Sequence, residues 1–332
     1  MDWKSSNVLI TGATGFVGTW LAKALIERGA NVVAFVRDEI PNAPIRTMDI
    51  FEKLGAVAPG DITDYASVKR VFAEYDIDTV FHLAAQTLVG VAKESPTTTF
   101  DVNIRGTWNV LEAARTSGKI KRMVVASTDK VYGEPIKLPI TEEHPLLAAY
   151  PYDASKVAVE ALTRTYAVTY GLPVAITRCC NIYGGGDMNF SRIIPGTIKS
   201  VIEGVNPVIR SDGTPVRDFI HVDDAVAAYI TLAEHIGEAG VNGQAFNFGS
   251  NAPINMLDLT KKIIEASGRT QLRPDVQGVR KPDAEIDRQY LSAEKAARVL
   301  GWKPKVGLEA GLKNTIAWYE DYFKMIGNPK DV

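Results

Sequence analysis

The feature that most constrains the fold is a repeated change of hydrophobic period. Five runs rich in β-branched residues, "NVLIT" (7–11), "NVVAFV" (31–36), "TVFHLA" (79–84), "RMVVAS" (122–127) and "PVAITR" (173–178), alternate with amphipathic stretches of helical length. None of the runs has a consistently polar face. Strands of that kind must be covered on both sides, and a helix between each two makes every connection a parallel crossover. The crossovers are "TWLAKALIERG" (19–29), "SVKRVFAEY" (67–75), "NVLEAARTSG" (109–118) and "ASKVAVEALTRTYAVTYG" (154–171), with Gly29, Gly118 and Gly171 at the expected C-caps. The expected class is α/β, a doubly wound parallel sheet of the Rossmann type with a smaller C-terminal substrate-binding domain.

The first strand runs into "TGATGFVG", which places Gly12, Gly15 and Gly18 between a strand and a helix N-terminus. Backbone amides there can approach a pyrophosphate whose charge the helix dipole favours, so a dinucleotide, NADP or NAD, is the expected cofactor. Its contacts are expected from Gly12, Gly15, Phe16, Val17 and Gly18, from Asp61 and Ile62 after the third strand, and from Leu83, Ala84 and Ala85 in "HLAA". The second strand ends "AFVRD". Arg37 there suits a 2′-phosphate and leans the reading to NADP, while Asp38 suits the ribose hydroxyl of NAD. His82 reads as a structural strand-end histidine.

After Arg178 the rhythm stops. Gly184 to Gly186, Pro195, Pro207 and Pro215 interrupt the chain, strand character returns at "DFIHV" (218–222) and "AFNFG" (245–249), and helices and loops follow from Asn251. The expected division is 1–180 for the cofactor-binding domain, with 218–250 returning to it, and 181–217 with 251–332 for the substrate domain. A chain of 332 residues is long enough for two cores. A formal net charge of -2 gives no basic excess for nucleic acid, and no apolar segment has membrane-spanning length. The two cysteines, Cys179 and Cys180, are neighbours without bridge or metal-ligand spacing; with no signal-peptide pattern in "MDWKSSN", a reducing, cytoplasmic setting is expected.

"YDASK" puts Tyr152 and Lys156 four residues apart at a helix start, on one face. A phenol, with a pKa near ~10, becomes a usable base beside an ammonium and a cationic nicotinamide. Combined with the glycine turn, "HLAA", "NIRGTWNVLEAA", the set Ser127, Tyr152 and Lys156, "NIYGGG" (181–186), "RDFIHVDDA" (217–225) and "RVLGWKPKVGLEAGL" (298–312), the chain resembles the extended short-chain dehydrogenase/reductase superfamily acting on nucleotide sugars. The resemblance implies a tightly bound, recycled cofactor, a small-molecule nucleotide sugar held by Asn103, Asn181, Arg192, Arg217 and Arg280, and no nucleic-acid or membrane partner. Separated arginines converging on a cleft suit a diphosphate. A homodimer is expected from the apolar faces of 107–115 and 157–168, packed as a four-helix bundle.

Within that superfamily the stretch "STDKVYG" discriminates. A 4-epimerase needs only oxidation and reduction at carbon 4, for which Ser127, Tyr152 and Lys156 suffice. A 4,6-dehydratase must also remove the proton on carbon 5 and protonate the hydroxyl leaving carbon 6. Asp129 and Lys130 could supply that acid and base, with Thr128 bonding the carbon 4 oxygen, and "STDK" resembles the matching segment of nucleotide-sugar 4,6-dehydratases. Each charge opposes the protonation state its neighbour needs, so the acid and base labels stay exchangeable. Lys130 stands where the deoxythymidine diphosphate glucose enzymes have Glu, and "RDFIHVDD" is not the version of the cytidine diphosphate glucose enzymes, so the nucleotide stays open. The leading expectation is an NDP-hexose 4,6-dehydratase; the alternatives are a 4-epimerase and a non-catalytic cofactor-binding protein.

Overall fold

The computed structural model describes residues 2–40, 42–279 and 286–327. At its centre lie β1 (Asn7–Thr11), β2 (Asn31–Val36), β3 (Ala56–Pro59), β4 (Thr79–His82), β5 (Arg122–Thr128), β6 (Val174–Cys179) and a last strand, Ala245–Phe248. All neighbours in this seven-stranded sheet are parallel, and the order from one edge is the Ala245–Phe248 strand, β6, β5, β4, β1, β2, β3. The chain works outward from β1 to β3, crosses back to β4 and continues the other way. A crevice therefore opens at the carboxyl ends of β1 and β4, the switch point at which such sheets bind ligands.

The absence of a polar strand face has a direct structural cause. Val8 and Ile10 point into one core with Val32, Ala34, Phe81, Val124 and Ala175, while Leu9 points into the other with Val33, Val80, Met123, Val125 and Val174. Helices Phe16–Glu27 and Val222–His235 cover the first face through Leu21, Leu25, Val226 and Ile230. Helices Tyr65–Glu74, Gly106–Ser117 and Pro151–Tyr170 cover the second through Val68, Phe72, Val110, Leu111 and Val159. These helices begin two or three residues before the apolar periodicity does. Their first turns hold start signals instead, such as Pro151 at the first position and the Asp64 carboxylate accepting from the Ala66 amide.

A second core joins helices Ile193–Ile202, Met256–Ala266 and Leu308–Ile326 through Ile194, Ile198, Leu259, Ile263, Leu312, Ile316 and Tyr319. One part of the expected substrate domain packs elsewhere. Leu291, Ala293, Ala296, Leu300 and Trp302 join the sheet core, with Trp302 edge-on to Phe248 at 5.0 Å between centroids. The helix there, Glu294–Leu300, is too short to display a period that would have assigned it. Short strands stitch the lobes together: Asn181–Tyr183 pairs with Phe219–His221, while Ile254–Asn255 and Arg288–Gln289 flank Val216–Arg217.

Candidate active site

The crevice at the switch point is a cavity of about 620 Å³ lined by Gly12, Gly15, Phe16, Val17, Gly18, Arg37, Asp38, Asp61, Ile62, Leu83, Ala84, Ala85, Ser127, Tyr152 and Lys156. Glycine is required at two of these places. Gly12 has φ +77, and a Cβ on it would lie 2.8 Å from the Ala84 nitrogen; one on Gly18 would lie 2.1 Å from the Gly12 carbonyl oxygen. The turn thus rests directly on the end of β4 and on its own helix. It brings the first amides of the Phe16–Glu27 helix, which lack intrahelical acceptors, to the cavity wall. This cradle fits a pyrophosphate.

Around the turn, polar side chains are spoken for in specific ways. Arg37 Nε donates to Asp38 Oδ2 at 2.6 Å, and both side chains are more than half exposed. Asp61 Oδ1 accepts from the amide and the hydroxyl of Thr63, each at 2.8 Å. His82 lies between the hydroxyls of Thr11 at 2.7 Å and Thr107 at 2.9 Å, and burial, aided by the charge of Lys156, pulls its pKa down to about 3. It is a neutral structural bridge between β1 and the next layer.

Asn103, expected as a sugar ligand, is buried with both of its amide donors engaged. Its Oδ1 accepts from the Gln86 amide at 2.7 Å, and its Nδ2 donates to the Gln86 carbonyl at 3.0 Å and to Ser155 Oγ at 2.9 Å. It ties the loop after β4 to the Pro151–Tyr170 helix, with both N–H donors used and one lone pair of Oδ1 left over.

The reactive group of side chains meets where β5 ends. Ser127 and Thr128 are consecutive in a strand and face opposite ways. Ser127 Oγ donates to Glu160 Oε1 at 2.5 Å, whereas Thr128 shares a hydrogen bond with Tyr152. Thr128 thus neighbours the tyrosine hydroxyl, while Ser127 lines the larger cavity with Tyr152 and Lys156, so both hydroxyls of the expected set lie at the site. Burial, with the nearby Asp129 charge, holds the Tyr152 phenol above its ordinary range. Lys156 Nζ donates to the Ala126 carbonyl at 2.9 Å, and burial lowers its pKa to about 8, with Glu160 opposing the fall.

Glu160 and Arg178 escaped the sequence reading. Arg178 Nε and Nη2 reach the Glu160 carboxylate at 2.9 and 2.5 Å, Arg178 Nη1 donates to Tyr132 Oη at 2.7 Å, and Tyr132 donates to Asn247 Oδ1 at 2.7 Å. The network pins β5, β6 and the Pro151–Tyr170 helix together beneath Thr128. Glu160 follows Lys156 by four residues, a spacing that marks one helix face; Arg178 becomes visible only once β5 and β6 register it against Ser127.

Beyond Thr128 the chain turns. Thr128 Oγ1 donates to Asp129 Oδ1 at 3.2 Å and accepts from the Lys130 amide at 3.3 Å. Asp129 is 2% exposed, and its Oδ2, 3.6 Å from Lys130 Nζ, has no hydrogen-bond partner among the described residues. Lys130 Nζ also donates to Gln289 Oε1. Asp153, in the first turn of the same helix as Tyr152, is a third carboxyl here: burial raises its pKa to about 6, Lys130 pulls against that and Asp129 adds to it. "YDASK" contains it, but nothing in the pattern singles it out.

A second cavity, about 250 Å³, is lined by Asn181, Tyr183, Asp187, Arg192, Arg217, Phe219 and Met256, and Arg192 borders both cavities. Arg192 Nη1 donates to the buried Asp187 carboxylate at 2.9 Å, Asn181 Nδ2 to the Asp218 carbonyl at 3.1 Å, and Arg217 Nη1 to the Val216 carbonyl at 2.9 Å. The structure thus brings three of the five expected sugar-nucleotide residues to one hollow. Arg280, also expected there, lies outside the described residues.

Comparison with known proteins agrees with this geometry. The chain is 31% identical to dTDP-glucose 4,6-dehydratase 1 of Escherichia coli (strain K12), over 98% of this chain and 95% of the relative. Among solved structures, the dTDP-glucose 4,6-dehydratase of Streptomyces venezuelae, solved with NAD bound, superposes with a TM-score of 0.82 at 28% identity over 96% of this chain and 98% of that one. The UDP-glucose 4-epimerase of Thermotoga maritima superposes with a TM-score of 0.84 at 28% identity over 97% and 100% of the two chains. The family model described as GDP-mannose 4,6 dehydratase matches residues 9–315, and the chain belongs to that family, within the extended short-chain dehydrogenases/reductases.

Proposed function

We propose that the chain is a nucleotide-sugar 4,6-dehydratase that converts an NDP-hexose to its 4-keto-6-deoxy derivative. The observation that carries this reading is the Asp129–Lys130 pair. It follows directly on the hydroxyl that bonds Tyr152, and one carboxylate oxygen of the pair is buried without a hydrogen-bond partner among the described residues. A 4-epimerase has no step that uses such a pair.

The glycine turn, Asp61, the "HLAA" segment, Tyr152 and Lys156 would hold the dinucleotide along the larger cavity. What that group supplies when bound is reversible hydride acceptance, from carbon 4 and, after water has left, to carbon 6. Tyr152 takes the proton of the carbon 4 hydroxyl, with Thr128 bonding the same oxygen and the Lys156 ammonium favouring the phenolate. The ketone acidifies carbon 5. Lys130 as amine takes the carbon 5 proton, the electron pair of the broken carbon 5–hydrogen bond forms the carbon 5–carbon 6 double bond, and the carbon 6 oxygen leaves as water with the proton of Asp129. Asn181, Arg192 and Arg217 face the nucleoside diphosphate, Arg192 lying at the junction of the two cavities as a diphosphate ligand should.

We favour NAD over NADP, because Arg37 is paired with Asp38 and the acidic Asp38 also lines the cavity, where it would suit a ribose hydroxyl. NADP binding more tightly than NAD in a direct titration would reverse that preference. We also propose a cytoplasmic homodimer. Both cysteines are free and buried, and Trp108, Val168 and Tyr170 are 45%, 75% and 55% exposed on the helices Gly106–Ser117 and Pro151–Tyr170. A monomeric mass at micromolar concentration would remove the dimer.

The function is tested with NDP-hexoses carrying deuterium at carbon 4. Label recovered at carbon 6 of a 4-keto-6-deoxy product supports the dehydratase; label returned to carbon 4 of the other epimer supports an epimerase instead.

A further inference from the structure

The Lys130 amine and the Asp129 backbone are both met from a distant part of the chain by the side chain of Gln289. It lies on the two-residue strand Arg288–Gln289, is fully buried, and stands 159 residues from Lys130 in sequence. Its amide makes two contacts of opposite polarity: Oε1 accepts from Lys130 Nζ, and Nε2 donates to the Asp129 backbone carbonyl at 3.2 Å. A carboxamide offers an acceptor and a donor from one planar group, and this orientation satisfies both.

The hold matters for the neighbouring pair. Lys130 Nζ stands 3.6 Å from Asp129 Oδ2, within ion-pair range but beyond hydrogen-bond length, and Oδ2 has no other partner among the described residues. Elimination requires a protonated carboxyl and a neutral amine, whereas a close Asp–Lys ion pair favours the opposite charges. We propose that Gln289 is a positioning residue for elimination: it holds the Lys130 amine through a neutral acceptor, keeps it off Asp129 Oδ2, and leaves that oxygen open to the carbon 6 hydroxyl. A carbonyl accepts from an ammonium or from a neutral amine, so the contact survives the movement of the proton. A carboxylate at position 289 would not allow this, since it favours the ammonium. The other charged groups facing Lys130 are Asp129 on its own turn and Asp153 on the Pro151–Tyr170 helix, with Lys93 of the Val89–Glu94 helix acting in turn on Asp153. Gln289 is also in register with Arg217 on the adjacent strand, so the same small sheet joins the elimination pair to the second cavity.

The inference rests on the dehydratase reading, and its test separates the two. The unmodified enzyme is first screened with UDP-, CDP-, GDP- and dTDP-hexoses; no 4-keto-6-deoxy product from any of them overturns the reading and the inference together. With a productive sugar, Q289E and Q289L are compared with wild type for kcat, KM, pH–rate profile and exchange of the carbon 5 proton with deuterated solvent. Q289E is expected to lower kcat ~10- to 100-fold and to move the limb on which rate rises with pH upward by ~1–2 units, the effect of a carboxylate beside a base that must be neutral. KM should stay within ~3-fold, carbon 5 exchange should fall with kcat, and single-turnover oxidation at carbon 4, read from reduced-cofactor absorbance, should persist. Q289L should lower kcat and carbon 5 exchange without the upward shift. Wild-type kcat and profile in Q289E overturn the inference, as does loss of carbon 4 oxidation in step with carbon 5 exchange, the mark of a merely structural role. If Q289E does not fold, Q289N, shorter by one methylene, takes its place: a lower kcat with carbon 4 oxidation intact supports the hold, and wild-type kcat overturns it.

Discussion

Glu160→Ala is the sharpest test of the packing beneath the site. The carboxylate it removes receives Arg178 Nε at 2.9 Å, Arg178 Nη2 at 2.5 Å and Ser127 Oγ at 2.5 Å, and the guanidinium side chain left behind is 8% exposed. Breaking one side of a buried ion pair costs about 3–5 kcal/mol, a large part of a total stability of ~5–15 kcal/mol. At on the order of 2 °C per kcal/mol for a chain of this size, E160A should melt ~6–10 °C below wild type. Arg178→Met alone should lose a comparable amount, because Glu160 is then the uncompensated charge. The double variant E160L/R178M, which replaces both charges by apolar groups, should recover most of the loss. Thermal and urea unfolding of the cofactor-free proteins near neutral pH, with E160L as the matching single variant, decides the matter: a double variant as unstable as the sum of E160L and R178M would refute the reasoning. The milder E160Q carries a catalytic consequence as well. Glu160 opposes the fall of the Lys156 pKa, which burial takes to about 8, so removing its charge should move the alkaline limb of the pH–rate profile to lower pH. An unmoved limb would show that Glu160 does not act on Lys156.

Tyr152→Phe should lower kcat by ~10²–10⁴-fold with cofactor affinity retained, as steady-state rates and cofactor titration would show. Thr128→Val should impair oxidation at carbon 4 more than Ser127→Ala does, since Thr128 neighbours the Tyr152 hydroxyl while Ser127 donates to Glu160; the reverse ranking in single-turnover cofactor reduction would give that role to Ser127. Asp129→Asn and Lys130→Met should each abolish the 4-keto-6-deoxy product while still reducing the bound cofactor, and an unchanged product yield would remove the pair from the elimination step. His82 has a folded pKa of about 3 against 6.5 unfolded, so the unfolded chain binds the extra proton between these values and stability falls as pH drops from about 6.5 toward 3. His82→Gln should flatten that part of the acid-unfolding curve, measured by fluorescence from pH 7 downward.

What was legible in the sequence was what the physics keeps local. The strands could be read because burial on both faces leaves Leu9 and Ile10 equally apolar, though they serve different cores. The glycine turn could be read because the steric need at Gly12 and Gly18 falls within one strand-turn-helix unit. Tyr152 and Lys156 could be read because four residues on a helix are one face. The failures share a different cause. Ser127 and Thr128 could not be ranked from strand alternation, which says that they face apart but not which face the catalytic helix covers. Asn103 fits the family pattern for a ligand, yet its partners Gln86 and Ser155 come from other elements and take both of its N–H donors. Arg178 acquires a role only through register with Ser127, and Gln289 only through a contact spanning about half the chain.

That division bears on the chemistry, because the residues that react and the residues that set their protonation obey different rules of legibility. Asp129 and Lys130 can be named from their order in "STDKVYG", but adjacency alone predicts an ion pair that disfavours elimination. Their surroundings come from tertiary neighbours: Gln289 bonding the Lys130 amine, Asp153 adding a second carboxyl nearby, and Tyr152 beside Thr128. Two chains with the same reactive motif can therefore differ in whether elimination follows oxidation. The side chain at position 289 is where this one should be changed to switch the second step off while leaving the first in place.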